Sequence, residues 1–154
     1  MSDVIVRVPT TVCVVEQPVS FAVVINRGEK GDPGSGGGGS VSLPSLLVAQ
    51  SLSALRIVAN LNGQYDYANP LDPIAAWSIA GISLQSINAS GLLTPVNNQP
   101  VSDQSWNWVR GSPVFLGPLG TLTQTPPSTG SLVTVARVLD PKTLFIHIED
   151  AIRL

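Results

Sequence analysis

Apolar positions in this chain fall into two stretches parted by glycine. Residues 4–26 (VIVRVPTTVCVVEQPVSFAVVIN) hold two β-branched runs cut by Pro9 and Pro18. Proline there suits strand edges or turns and excludes a helix. Val4, Val6 and Val8 alternate with Ile5 and Arg7, and Phe21, Val23 and Ile25 alternate with Ala22 and Val24. Both faces are largely apolar, so these strands need cover on two sides. Chains below roughly 40 residues rarely fold unaided, so the segment reads as an anchor leaning on another protein or on sister chains. Next comes GEKGDPGSGGGGS, residues 28–40. Gly28, Gly31 and Gly34 keep the spacing of collagen, where only glycine fits the crowded axis of three chains. The rest is a Gly/Ser tract of the kind that forms flexible tethers. A plain linker and a trimer tether both fit this stretch. Lys30-Gly31-Asp32 favours the tether, since staggered chains could pair opposite charges.

Val41, Ser45, Val48, Leu52, Leu55 and Ala59 then recur at spacings of four and three. That is a heptad pattern, but fewer than three heptads is a poor signal. An apolar lead-in to the next strand is the preferred reading of this connector, 41–53. From Ala54 the strand pattern takes over. Leu55 to Leu61 and Gln64 to Tyr67 flank Asn62-Gly63, the strongest short-range hairpin signal. Asn69-Pro70 and Asp72-Pro73 mark a loop. Ala75 to Leu84 reads as a strand, with Gly81 a bulge or close-approach point. Asn97 to Pro100 reads as a turn. Trp106-Asn107-Trp108 puts both indoles on one face of an extended segment. Val114 to Leu116, Thr121 to Gln124, Val133 to Val138 and Leu144 to Ile148 complete the strands, the last two joined by Asp140-Pro141-Lys142. Strands every 8–12 residues with Gly/Pro turns predict a small β-barrel or sandwich over 54–154, with no helix required.

Composition agrees with an all-β chain. Fourteen glycines and 13 prolines stand beside only 12% charged and 5% aromatic residues in 154. The net charge of −2 and eight scattered Lys and Arg argue against nucleic acid as a partner. No apolar stretch is long enough for a bilayer, and no leader is evident, so no membrane partner is expected. A mean hydropathy of +0.29 with so little charge suggests apolar surface buried against copies of the chain or a larger assembly.

Candidate chemistry is sparse. Cys13 sits in an apolar run and reads as a small buried hydrophobe. His147, the one histidine, shares a polar strand face with Glu149, opposite Leu144, Ile146 and Ile148. One His and one Cys cannot build a metal site within a chain. The acids Asp66, Asp72, Asp103, Asp140, Glu149 and Asp150 are the only glycosidase candidates, and Asp66, Asp72 and Asp140 sit in turns. No phosphate loop or nucleophile elbow occurs. The reading is non-enzymatic, with no catalytic residue, metal or cofactor. Trp106, Trp108 and Phe115 are candidates for packing or ligand contact, and Tyr65, Tyr67 and Trp77 could also stack on sugars.

The run from Trp106 to Asp150, WNWVRGSPVFLGPLGTLTQTPPSTGSLVTVARVLDPKTLFIHIED, resembles a β-domain at the C-termini of tailed-bacteriophage virion proteins. The Trp-x-Trp segment, the Pro-Val-x-Leu-Gly strand, the Gly-x-Leu-Thr-Gln-Thr-Pro-Pro turn and two final strands carry the likeness. Ala80 to Val96 also fits it, so that it spans roughly residues 54–154. The Val-rich front with its Gly-x-y tract is similar to the attachment arms of phage fibres and head decoration proteins. The tract is short, which implies a compact knob and not a long fibre. The resemblance implies a homotrimer that assembles in the host cytoplasm into the virion. Residues 1–27 would attach it to the capsid or other virion proteins through Val4, Val6, Val8, Phe21, Val23 and Ile25. Residues 28–40 would tether three chains through Gly28, Gly31 and Gly34, and 54–154 would decorate or cement the capsid surface. The alternative is a tail-fibre or baseplate module that recognises a host glycan.

Overall fold

The computed structural model describes residues 43–154. Cys13, the six apolar anchor residues and Gly28, Gly31 and Gly34 lie outside the described residues. The described chain is all-β apart from one short helix. In order it runs β1 (Leu46–Leu47), β2 (Arg56–Leu61), β3 (Gln64–Tyr67), α1 (Pro73–Trp77), β4 (Ile79–Ser83), β5 (Leu92–Leu93) and β6 (Gln99–Ser102). It continues with β7 (Pro113–Leu116), a 3-10 turn at Pro118–Gly120, β8 (Leu122–Thr123), β9 (Ser131–Leu132), β10 (Thr134–Asp140), β11 (Thr143–Ile146) and β12 (Ile152–Arg153). The sheets are antiparallel, in the orders β6-β11-β10-β7-β8, β3-β2-β4, β1-β5 and β12-β9. They close no barrel among the described residues, so the barrel outline is not adopted.

Turn chemistry sets the two main hairpins. Between β2 and β3, Asn62 and Gly63 take φ of 53° and 80°, as a two-residue turn matched to strand twist requires. The Asn60 side-chain oxygen accepts from the Gly63 N–H at 3.1 Å. Between β10 and β11, Asp140 accepts from the Lys142 N–H at 2.8 Å, the local bond that makes aspartate a turn former.

β2 is the strand shared by both cores. Ile57 and Ala59 enter a large cluster with Ala75, Ala76, Ile82, Val114, Leu116, Val133, Val135, Leu144 and Ile146. Val58 points the other way, into a second cluster with Val48, Leu52, Tyr65 and Leu93. Cover on both faces explains the unbroken apolar run Ile57-Val58-Ala59.

Bulges explain other breaks in alternation. Pairing of β10 with β7 steps from Thr134↔Phe115 to Ala136↔Val114, leaving Val135 as the extra residue, so that Val135 and Ala136 are both buried. Pairing of β2 with β4 steps from Val58↔Gly81 to Ala59↔Ile79, so Ala80 bulges beside Gly81. A Cβ on Gly81 would strike the Val96 carbonyl oxygen. The expected bulge and close approach are both present.

Two expectations need correction. Ala75 to Leu84 is not one strand: Pro73–Trp77 is helical and only Ile79–Ser83 is extended. Asp72 forms an N-cap, its carboxylate accepting from the N–H groups of Ile74 and Ala75, and Pro73 stands where proline is favoured in a first turn. In the apolar lead-in before β2, the weaker heptad alternative is not adopted, since residues 46–52 are not helical. Val48 and Leu52 are core residues, and the Ala49 N–H donates to the Tyr65 carbonyl at 2.9 Å. Lastly, Gln99 and Pro100 belong to β6 and not to a turn. Proline is tolerated because β6 is an edge strand.

Candidate functional site

The Trp106–Trp108 segment belongs to no strand, and its backbone is tied by scattered bonds. The Trp106 N–H donates to the Asp103 carbonyl (3.2 Å) and the Trp108 N–H to the Pro141 carbonyl (3.0 Å). The Lys142 ammonium donates to the Trp106 carbonyl. Gln124 embraces Val109, its Oε1 accepting from the N–H at 3.0 Å and its Nε2 donating to the carbonyl at 2.8 Å. The indoles meet edge to face, centroids 5.8 Å apart at 65°, a favoured aromatic geometry. Both are half-buried against the large cluster, as alternation predicts. Trp108 Nε1 is shielded and finds no partner among the described residues. A shallow depression beside the pair is lined by Ala54, Leu55, Arg56, Thr121 and Leu122. Phe115 is elsewhere on the sheet, half-buried in β7 between Thr134 and Thr123 on the flanking strands.

His147 is exposed, its Nδ1 3.1 Å from the Asn98 side-chain oxygen. Glu149 instead pairs with Arg137 at 3.1 Å. The Arg137 hydrogen bond is the main reason the Glu149 carboxyl sits below its ordinary pKa. His147 and Glu149 do share the polar face opposite Leu144 and Ile146, but each takes a different partner. Such an exposed ion pair stabilises by only ~0–1 kcal/mol.

The aspartates mostly serve the chain's own turns. Asp66 accepts from the Tyr67 N–H (2.7 Å) and from Gln50 Nε2 (2.6 Å), and Asp72 caps α1. Asp103 accepts from both the hydroxyl and the N–H of Ser105, the hydroxyl being the larger cause of its lowered pKa. Asp140 is lowered chiefly by the Lys142 N–H. Among the described residues no three His, Cys, Asp or Glu gather to hold a metal, and no helix is long and apolar enough to cross a membrane.

The least saturated part of the surface is apolar. α1 turns Ala75 and Ala76 inward and leaves Ile74 and Trp77 exposed three residues apart, and Leu71, just before the Asp72 cap, is exposed as well. Gly130 joins this face to β12. The Ser131 N–H donates to the Pro70 carbonyl (2.7 Å), the Leu154 N–H donates to the Gly130 carbonyl (2.9 Å), and the Leu71 side chain lies beside Gly130. Ile152 of β12 and Leu154 just after it are both exposed. Trp77 lines a small recess with Asp150 and Ala151. Reading 75–84 as a strand hid Leu71 and Ile74. The signal that could have found them is Asp72-Pro73, an N-cap followed by a first-turn proline. No protein-family model, curated protein or solved structure matches the chain.

Proposed function

We propose that the chain is a non-enzymatic structural protein of a tailed-phage particle. Residues 1–27 attach it, residues 28–40 tether three chains, and the β body decorates or cements the capsid surface. The observation that supports this reading is the surface itself. Large apolar side chains stand outward on α1 and β12 while aspartates are consumed in capping and turns. A protein so built is suited to being covered by neighbours. Three weak attachment arms on one trimer would gain through effective concentration, so none need bind tightly alone.

The test is mass spectrometry of purified particles from cells infected by the phage whose genome encodes the chain. The expected result is its presence in intact particles at a fixed ratio to the major shell protein. Its absence from particles, with abundance only in the lysate, would overturn the reading.

A further inference from the structure

One side of the five-stranded sheet faces away from the core. We propose that it binds a neutral oligosaccharide, laid from Arg137 across Glu149 to Trp77. This binding is additional to attachment and does not depend on it. Register fixes which side chains share the face, because directly paired residues stand on the same side. Arg137 is paired with Phe145 on β11 and with Pro113 on β7, and Phe145 with Pro100 on β6. Thr134 is likewise paired with Phe115. The opposite side carries Val114, Leu116, Ala136, Leu144 and Ile146, all fully buried. Phe115 and Phe145 are only half-buried. Pro113, Thr134 and Arg137 of the outer face line, with Ser112 and Glu149, a hollow of about 550 Å³, within the range of small-ligand sites. Glu149 also lines the recess of about 240 Å³ that holds Trp77, Asn97 and Asp150. The two hollows adjoin at Glu149, as the subsites of an extended ligand do.

The chemistry of the lining selects the ligand. Arg137 and Glu149 pair at 3.1 Å, so the larger hollow holds strong donors and acceptors side by side with no net charge. The pair engages one Arg137 nitrogen and one Glu149 oxygen. A guanidinium has five N–H donors and a carboxylate about four acceptor sites, so others remain for a ligand. Neighbouring hydroxyls of a sugar ring, each both donor and acceptor, match such a set, and bonds to charged partners are the stronger kind. An anion would face Glu149 and Asp150 against a single arginine already paired. In the larger hollow a cation would have to displace Arg137 from Glu149. The C–H face of a sugar ring is apolar, with slightly positive hydrogens that suit the negative face of an aromatic ring. Trp77 supplies an indole at the recess: it is 65% exposed, and α1 buries Ala75 and Ala76 in its stead.

The experiment probes a printed array of neutral, acidic and amino oligosaccharides with the full chain, then titrates the strongest neutral glycan by calorimetry. Binding to neutral members is expected. No binding, or binding confined to acidic or amino glycans, overturns the proposal. Arg137→Ala and Trp77→Ala are each expected to weaken the calorimetric affinity at least about tenfold, the scale of one lost bond to a charged group. Both should keep the wild-type far-ultraviolet spectrum, because both side chains are exposed. Wild-type affinity in either variant overturns the proposal, since the ligand then misses one of its two ends. Should a variant unfold, hydrogen exchange of the wild type with and without the same glycan decides. Slowed exchange from His147 to Ala151 is expected, and exchange unchanged there overturns the proposal.

Discussion

Gly63 and Gly120 both have left-handed backbones, with φ of 80° and 67°, yet they are required for different reasons. Around Gly63 there is open space, whereas a Cβ on Gly120 would collide with the Ile57 carbonyl oxygen inside the core. Gly63→Ala meets conformational strain alone and should cost about 1 kcal/mol. Gly120→Ala adds a clash with backbone that cannot move aside, and should cost on the order of 3 kcal/mol or more. Urea unfolding of the two variants checks the ranking, and equal losses would refute it. Titration is a second residue-scale matter. Asp103, Asp140 and Glu149 are all held below their ordinary pKa values by hydrogen bonds of the folded state. Each therefore binds a proton more readily when unfolded. Their contribution is complete above the unfolded values, about 3.9 for Asp and 4.3 for Glu, and is lost as pH falls through the lower folded values. Stability should be flat from neutral to about pH 5 and decline below about pH 4. Asp103→Asn with Asp140→Asn should shallow that decline, and an acid limb of unchanged slope would show that these bonds do not matter.

α1 has five residues, too few to persist in water alone, so it depends on its cap and on the burial of Ala75 and Ala76. Asp72→Ala should lower global stability by ~1 kcal/mol; a thermal melt indistinguishable from wild type would mean the cap is dispensable. The same element shows why it was misread. Ala75 to Leu84 is a short apolar run, which periodicity cannot assign to helix or strand, and the deciding bond comes from Asp72, before the run begins. The two hairpins were legible because Asn62-Gly63 and Asp140-Pro141-Lys142 settle their geometry within a few residues. The lead-in was half legible. Val48 and Leu52 announce themselves as apolar, but their partners Tyr65 and Ile87 lie far along the chain. Leu52→Ala should cost about 2–5 kcal/mol, as for a full core leucine, and an unfolding midpoint near wild type would show that Leu52 is not a core residue.

For the whole molecule, legibility followed sequence distance. Alternation sufficed to put Trp106 and Trp108 on one face, because the two are neighbours in the chain. The α1–β12 surface joins Leu71 to Leu154 through Gly130, and nothing local marks residues so far apart as companions. The bulge at Val135 likewise depends on the partner strand and is invisible before pairing is known, whereas Gly81 marked the one at Ala80. The placement of β2 between the two cores has a consequence for how the protein comes apart. Ile57 and Val58 are adjacent in one strand but belong to different clusters, so neither cluster can lose its packing without disturbing a strand the other needs. The described body should open as one cooperative unit. Native-state hydrogen exchange would show it: the amides of Ala49 and Leu52, bonded in the smaller cluster's sheet region, should share the opening free energy of Leu116, bonded to Val133 in the larger. Much faster exchange at Ala49 and Leu52 would mean that the smaller core breathes on its own.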